Sequence, residues 1–119
     1  MPAKSRTRSK RWWEKLDEQA VRDALEDATV DAHDEDEQHS GLLTLIQEEL
    51  QFPFCAKVLG DDVEIVDMEW PEDDEYGLDL VCDRNGQRHR VEARSVDLPK
   101  TPPEGHLYLA AYLMWKRMR

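Results

Sequence analysis

The acidic residues of this chain are concentrated in its middle, which limits the faces that any fold can bury. Residues 17–83 include 23 acidic and two basic side chains, a net charge of −21, whereas residues 1–16 and 84–119 each carry a net charge of +5. Such a block repels itself and destabilises a compact state unless cations or a basic partner neutralise it. It also disfavours nucleic acid and membrane surfaces as ligands. The segment suited to nucleic acid is the basic N-terminus, residues 1–11, which we predict to be a disordered tail.

Length and composition predict that residues 12–119 form a single domain with one modest core. No apolar run approaches the roughly 20 residues that cross a bilayer, and no apolar segment follows the basic N-terminus as in a secretory signal. Cys55 and Cys82 lie far apart in strand-like apolar runs, without a CxxC pair. This usage favours two buried free thiols in a cytoplasmic protein.

Three segments have the hydrophobic period of helices. Apolar side chains recur at three- and four-residue steps in residues 12–30, which predicts a first helix. Ser40 is expected to cap a second helix that ends before Pro53. Between them, residues 31–39 are nearly all charged and are predicted to form a solvated acidic linker. A last helix is expected from Glu104 onwards, with a basic end that suits the helix dipole.

The segment between the second and last helices has the period of strands. Short strands are predicted at residues 54–59, 63–68, 78–83 and 89–96, and Asn85-Gly86 is a strong signal for a two-residue hairpin. Strands set apart from helices indicate an α+β domain. The expected fold has two N-terminal helices, a four- to five-stranded antiparallel sheet and a C-terminal helix. The sheet forms either a small SH3-like barrel or a strongly twisted sheet.

Four groups of carboxylates are candidate cation ligands, because calcium takes six to eight oxygen atoms from carboxylates, carbonyls and water. The run from Glu72 to Glu75 is held between Pro71 and Gly77, so a divalent ion would relieve repulsion in a constrained loop. For each of the other groups, a solvated acidic surface is the alternative interpretation. The groups are Asp31, Asp34, Glu35, Asp36 and Glu37; Glu48 and Glu49; Asp61, Asp62, Glu64 and Asp67; and Glu72, Asp73, Asp74 and Glu75.

The sequence has neither the spacing of an EF-hand nor a catalytic motif. An EF-hand loop that began at Asp34 would place His39 at the position that requires glycine, and one that began at Asp67 would place Glu72 there. His33 and His39 lack the spacing of zinc ligands on a helix, and no cysteine is near them. There is no nucleophile elbow, phosphate-binding glycine loop or HExxH pattern. We therefore predict that the protein is not an enzyme.

Several segments resemble one known family. Residues 50–58, LQFPFCAKV, are similar to the LxFPFxAxV segment of the small bacterial, cyanobacterial CcbP-like proteins, which bind calcium without an EF-hand. Residues 74–78, DEYGL, resemble the segment of that family in which acidic residues and a Tyr-Gly pair lead into a strand. Tyr112 and Trp115 are similar to residues in the last helix of the family. The resemblance extends over about residues 42–117. It implies cytoplasmic calcium binding on an acidic α+β scaffold.

Eight acidic residues are therefore the predicted calcium ligands. The resemblance points to the loop before Tyr76 and to the pair before the FPF segment: Asp73, Asp74, Glu75, Glu48 and Glu49. Composition alone adds Asp61, Asp62 and Asp67. The predicted function is non-enzymatic calcium binding, as a buffer or a sensor. The alternative is an acidic interaction or regulatory module that binds a basic protein partner without calcium.

Overall fold

A computed structural model describes residues 10–72 and 75–119 of the chain, as three α-helices and a five-stranded antiparallel sheet. The helices are α1 (Glu18–Thr29), α2 (Glu35–Glu49) and α3 (His106–Arg117). The strands are β1 (Phe54–Val58), β2 (Asp61–Glu69), β3 (Asp79–Arg84), β4 (Gln87–Glu92) and β5 (Val96–Asp97). This order confirms the predicted α+β class. Most of the predicted tail, residues 1–9, lies outside the described residues, while Arg11 forms an ion pair with Asp97 at 3.0 Å.

The sheet has the strand order β4-β3-β2-β1-β5, and all its pairs are antiparallel. Within the described residues β4 and β5 are the two edges and do not pair, so the sheet is open and not a closed barrel. Asn85 and Gly86 have φ of 54° and 83°, which confirms the predicted hairpin. Leu59 and Gly60, with φ of 53° and 83°, make an equivalent turn between β1 and β2. Positive φ at both central residues gives a turn whose twist matches that of the strands.

A β-bulge in β2 decides which of its side chains face the core. The register moves from Ile65 opposite Cys82 to Asp67 opposite Val81, so β2 has one extra residue, Val66. An extra residue reverses the alternation of a strand beyond that point. Met68 is consequently buried and Asp67 stays exposed.

Helix α2 begins at Glu35, within the segment predicted as a solvated linker, and Asp34 precedes it as the N-cap in place of Ser40. The Asp34 Oδ1 atom accepts a hydrogen bond from the Glu37 backbone N–H at 2.9 Å, and Glu37 Oε1 accepts one from His33 N–H at 2.6 Å. Carboxylates in a first turn are also stabilised by the positive end of the helix dipole. The charged residues that predicted a linker instead form the first turn of a helix and remain exposed at its surface.

The three helices and one face of the sheet enclose a single core. The segment Leu109–Trp115 of α3 is buried at every residue, because α1, α2 and the sheet all pack around it. The predicted first helix is divided, since Trp12–Lys15 is a 3-10 turn and Leu16 is extended before α1 begins. The expectation of two buried thiols is half right, because Cys82 is buried and Cys55 is exposed. No described helix is both long and apolar enough to cross a bilayer.

Candidate functional site

The loop between β2 and β3 lies against the acidic first turn of α2. The Tyr76 hydroxyl donates a hydrogen bond to Asp36 Oδ1 at 2.8 Å, across 40 residues of sequence. Glu75 precedes this tyrosine and is exposed. The contact therefore brings acidic residues from two distant segments together at one surface, which we call the loop–helix junction.

The acidity of the junction is reflected in the pKa of Tyr76, which is raised to about 12. The largest cause is the hydrogen bond to Asp36, followed by desolvation and by the negative charges of Asp36, Glu75 and Glu35. All these effects favour the neutral phenol over the phenolate. The hydroxyl thus remains a proton donor to the carboxylate at physiological pH.

His39 anchors the loop from the inside of the protein. Its imidazole is 7% exposed, and the ring Nε2 atom lies 2.8 Å from the carbonyl oxygen of Gly77. Because a carbonyl only accepts, Nε2 carries the proton and donates this bond. The ring stacks on Trp115 at a centroid distance of 5.9 Å and meets Trp70 edge-on at 5.8 Å. His39 therefore connects α2, the loop and α3.

Two further hydrogen bonds hold the same region. The Tyr112 hydroxyl donates to the backbone carbonyl of Tyr76 at 2.8 Å, and the Trp115 Nε1–H donates to Gln38 Oε1 at 2.9 Å. Two successive loop carbonyls, those of residues 76 and 77, thus already accept hydrogen bonds from the helices. Tyr112 and Trp115 are core residues that also position the loop.

The six predicted ligands that the structure describes do not lie in one place. Glu48 and Glu49 lie in the last turn of α2. At about 1.5 Å per residue, that turn is about 20 Å from the first turn of the helix. The cavity beside Glu49, about 400 Å³, is also lined by Glu104 and Tyr108. This end of α2 is therefore a separate acidic surface.

Asp61 and Asp62 lie at the far end of β2 from the loop. Asp61 forms an ion pair with Arg84 and Asp62 one with Lys57, each at 2.7 Å. The nine residues of β2 span eight steps of about 3.3 Å, so this end lies about 26 Å from the loop. Asp67 Oδ1 accepts a hydrogen bond from the Met68 N–H at 2.8 Å.

Of the predicted ligands, Glu75 alone is described at the loop–helix junction. Asp73 and Asp74 lie outside the described residues. Among residues 10–72 and 75–119, no three or more His, Cys, Asp or Glu side chains form a group that could hold a metal ion. A cation site at the junction would therefore need Asp73, Asp74, backbone carbonyls or water in addition.

The sequence marks the carboxylates of the first turn of α2 as candidate cation ligands, but it does not place them beside the loop, and it gives His39 no role there. A local signal for the helix start exists, because Asp34 and Glu37 have the spacing of an N-cap and its third helical residue. His39 has no such signal, since its hydrogen-bond partner is 38 residues away and its stacking partner Trp115 is on the last helix. The roles of the first turn of α2 and of His39 at the junction follow only from the packing of the three helices.

The chain is similar in fold to a solved protein, Anabaena CcbP. The two structures superpose with a TM-score of 0.67, and the match covers 86% of this chain and 92% of that one at 19% sequence identity. The likeness establishes that the chain has a CcbP-like fold. No protein-family model matches the chain, and no curated protein matches it significantly.

Proposed function

We propose that this protein binds calcium without an EF-hand, at the loop–helix junction. The observation that carries the proposal is the hydrogen bond between Tyr76 and Asp36, because it places the acidic loop beside the acidic first turn of α2. The proposed ligands are the carboxylates of Asp73, Asp74 and Glu75, with Asp36 as the contribution of the helix. Water and free backbone carbonyls would complete the six to eight oxygens that calcium requires.

Electrostatics favours a cation at the junction over the β1–β2 hairpin. The negative charges of Asp36, Glu75 and Glu35 all act on the Tyr76 phenol and raise its pKa. Glu35 is paired with Arg119 at 3.1 Å, but no described basic side chain forms an ion pair with Asp36 or Glu75. At the hairpin, by contrast, Asp61 and Asp62 are both paired with cationic side chains. A divalent ion therefore gains more from the junction than from the β1–β2 hairpin.

Two independent likenesses support the same proposal. The fold is similar to that of Anabaena CcbP, and the FPF and Tyr-Gly segments of the sequence resemble the calcium-binding CcbP-like family. We propose that the protein acts in the cytoplasm as a non-enzymatic buffer or sensor. A sensor would require that calcium binding move the loop relative to His39, its anchor on α2. A buffer would bind without such a movement.

Isothermal titration calorimetry with calcium tests the proposal. Physiological potassium chloride and magnesium suppress the diffuse association of ions with an acidic surface, so a saturable isotherm reports a defined site. Loss of the two loop carboxylates in Asp73→Asn/Asp74→Asn, or of the helix carboxylate in Asp36→Asn, is expected to weaken binding about tenfold or more. Asp62→Asn removes one exposed carboxylate at the far hairpin and serves as the control.

Three results would contradict the proposal. An isotherm that does not saturate would indicate that the acidic residues form only a polyanionic surface, without a defined calcium site. Unchanged affinity in the Asp73→Asn/Asp74→Asn protein would exclude the loop as the source of the ligands. A loss in Asp62→Asn as large as that in Asp36→Asn would mean that net charge, not the junction, determines the affinity.

A further inference from the structure

A groove lies between the end of α1 and the first half of α2. Its volume is about 620 Å³. The helices approach closely at its base, because a side chain on Gly41 would overlap the backbone carbonyl of Ala28. Four carboxylates contribute to the lining, those of Asp27, Asp31, Asp36 and Glu37. We call this feature the α1–α2 groove.

The negative charge of the α1–α2 groove has no cationic counterpart in its lining, since none of the described lining residues is basic. Three of the carboxylates accept hydrogen bonds from neutral donors only in the contacts that are seen. Asp27 accepts from the Tyr108 hydroxyl at 2.8 Å, Asp36 from the Tyr76 hydroxyl, and Glu37 from a backbone N–H. Neutral donors satisfy the oxygen atoms but leave the charge in place. The groove thus differs from the β1–β2 hairpin, where each aspartate has a basic partner.

The same groove also presents apolar surface. Val30, at the C-terminal end of α1, is 72% exposed, and Leu45 and Ala28 beside it are half-buried. A bare cation gains nothing from aliphatic side chains, whereas a peptide with an aliphatic residue would remove them from water. At about 25 cal/mol per Å², even partial burial of one such side chain changes an affinity measurably.

We propose that the α1–α2 groove binds a basic segment of a partner protein. One aliphatic side chain of that segment lies against Val30 and Leu45, and its lysine or arginine side chains meet the surrounding carboxylates. Charge complementarity selects this occupant, because nucleic acid and anionic lipid share the sign of the groove. The chain's own basic segment, residues 1–10, has no leucine, isoleucine or valine to fill the apolar part.

Asp36 belongs both to the α1–α2 groove and to the proposed calcium site. Calcium and the basic segment should therefore compete, and each should weaken the other by the same factor. This coupling rests on the proposed function, whereas binding of the segment in the absence of calcium does not. The protein would then release its partner when calcium rises.

Fluorescence anisotropy with a labelled synthetic peptide tests the proposal on the full chain in the presence of a chelator. The probe has lysines on both sides of a central Leu-Leu pair, and the comparison peptide has Ser-Ser at the centre. We expect saturable binding of the leucine peptide, about tenfold weaker binding of the serine peptide, and a loss of affinity as potassium chloride is raised. Val30→Ser should reduce the preference for leucine without changing the charge.

Asp31→Lys and Glu26→Lys provide the matched charge variants. Both reverse one exposed carboxylate near the end of α1, but Asp31 lines the groove and Glu26 does not. Asp31→Lys is expected to weaken peptide binding about tenfold, because it reverses a charge in the lining of the groove. Glu26→Lys should weaken binding by a clearly smaller factor, because its charge acts on the peptide only through solvent and is screened by salt. Equal losses in the two variants, or equal binding of the two peptides, would overturn the proposal in favour of diffuse charge attraction.

The outcomes separate this inference from the proposed function. Calcium binding by calorimetry with no peptide binding would overturn the groove proposal alone. Peptide binding that calcium does not change would support the groove and overturn its coupling to a calcium site at Asp36. If a peptide of residues 1–10 binds as tightly as the leucine peptide, the groove binds the chain's own N-terminus, and the proposal of a partner protein is overturned.

Discussion

Replacement of His39 by alanine should destabilise the whole domain, although the residue lies in a strongly charged segment. The substitution leaves the buried carbonyl of Gly77 without its donor, which costs about 1–3 kcal/mol. It also removes the stacking on Trp115 and the edge contact with Trp70, worth about 0.5–1.5 kcal/mol each beyond their burial. Since such contributions overlap, we expect a total loss of about 2–4 kcal/mol in the free energy of unfolding.

Urea unfolding followed by tryptophan fluorescence and far-ultraviolet circular dichroism measures this loss. With a slope of about 2 kcal/mol per molar urea, the midpoint should fall by about 1–2 M. His39→Phe keeps an aromatic ring for the stacking but not the hydrogen bond, so it should lose about 1–3 kcal/mol. His33→Ala, at an exposed histidine of the same segment, is the control and should stay within about 0.5 kcal/mol of the parent protein.

The two variants of His39 separate the contribution of the hydrogen bond from that of the packing. If His39→Ala and His39→Phe are both as stable as His33→Ala, the imidazole does not hold Gly77 in solution. The loop would then be attached to α2 mainly through the Tyr76 hydroxyl. Should His39→Ala be destabilised and His39→Phe be unaffected, packing would be the cause and the hydrogen bond would contribute nothing measurable.

Two further predictions concern the ends of α2. Gly105→Ala should lower the free energy of unfolding by about 2–5 kcal/mol, because φ is 88° and the new methyl group would overlap the Glu49 carbonyl. Gly60→Ala, at φ 83° in open space, should lower it by only about 1 kcal/mol. Thermal unfolding compares the two variants. The raised pKa of Tyr76 means that the folded protein holds this proton more tightly than the unfolded chain. The resulting stabilisation is fully present below pH 10 and is lost as the pH rises through about 12. Ultraviolet titration of the phenols, with Tyr76→Phe to identify the signal, should show a lower pKa when calcium is bound.

Each of the two predictions has an outcome that would contradict it. Equal losses for the two glycine variants would mean that the α3 N-terminus moves away from α2 without cost. A pKa of Tyr76 that is the same with saturating calcium and with chelator would place the ion away from the carboxylates that raise it.

Many of the elements follow from local patterns. The Asn85-Gly86 turn needs only two residues that accept positive φ, and the last helix needs only its apolar period, so both are found where the sequence predicts them. Local reasoning was less successful where two local signals conflict. The charges of residues 31–39 favoured a linker, but the Asp34 cap and the favourable helix dipole begin α2 at Glu35.

The candidate site could be predicted only in part, because its contacts join residues that are far apart in the chain. Composition and spacing identify Glu75 as a candidate ligand, but nothing local indicates that Asp36 is its neighbour. In the same way, the sequence groups Glu48 and Glu49 with the loop, whereas the length of α2 separates them from it by about 20 Å. Proximity in sequence was a poor guide to proximity in space.

Periodicity, turn residues and charge are local properties, and they were enough to predict the secondary structure in outline, the α+β class and the acidic character of the surface. Three features could be seen only in the folded protein: which acidic groups meet, which are neutralised by basic partners, and that a histidine in a charged segment is buried among aromatic rings. Burial and ion pairing depend on how the helices pack on the sheet. That packing is a property of the whole core and not of any one segment.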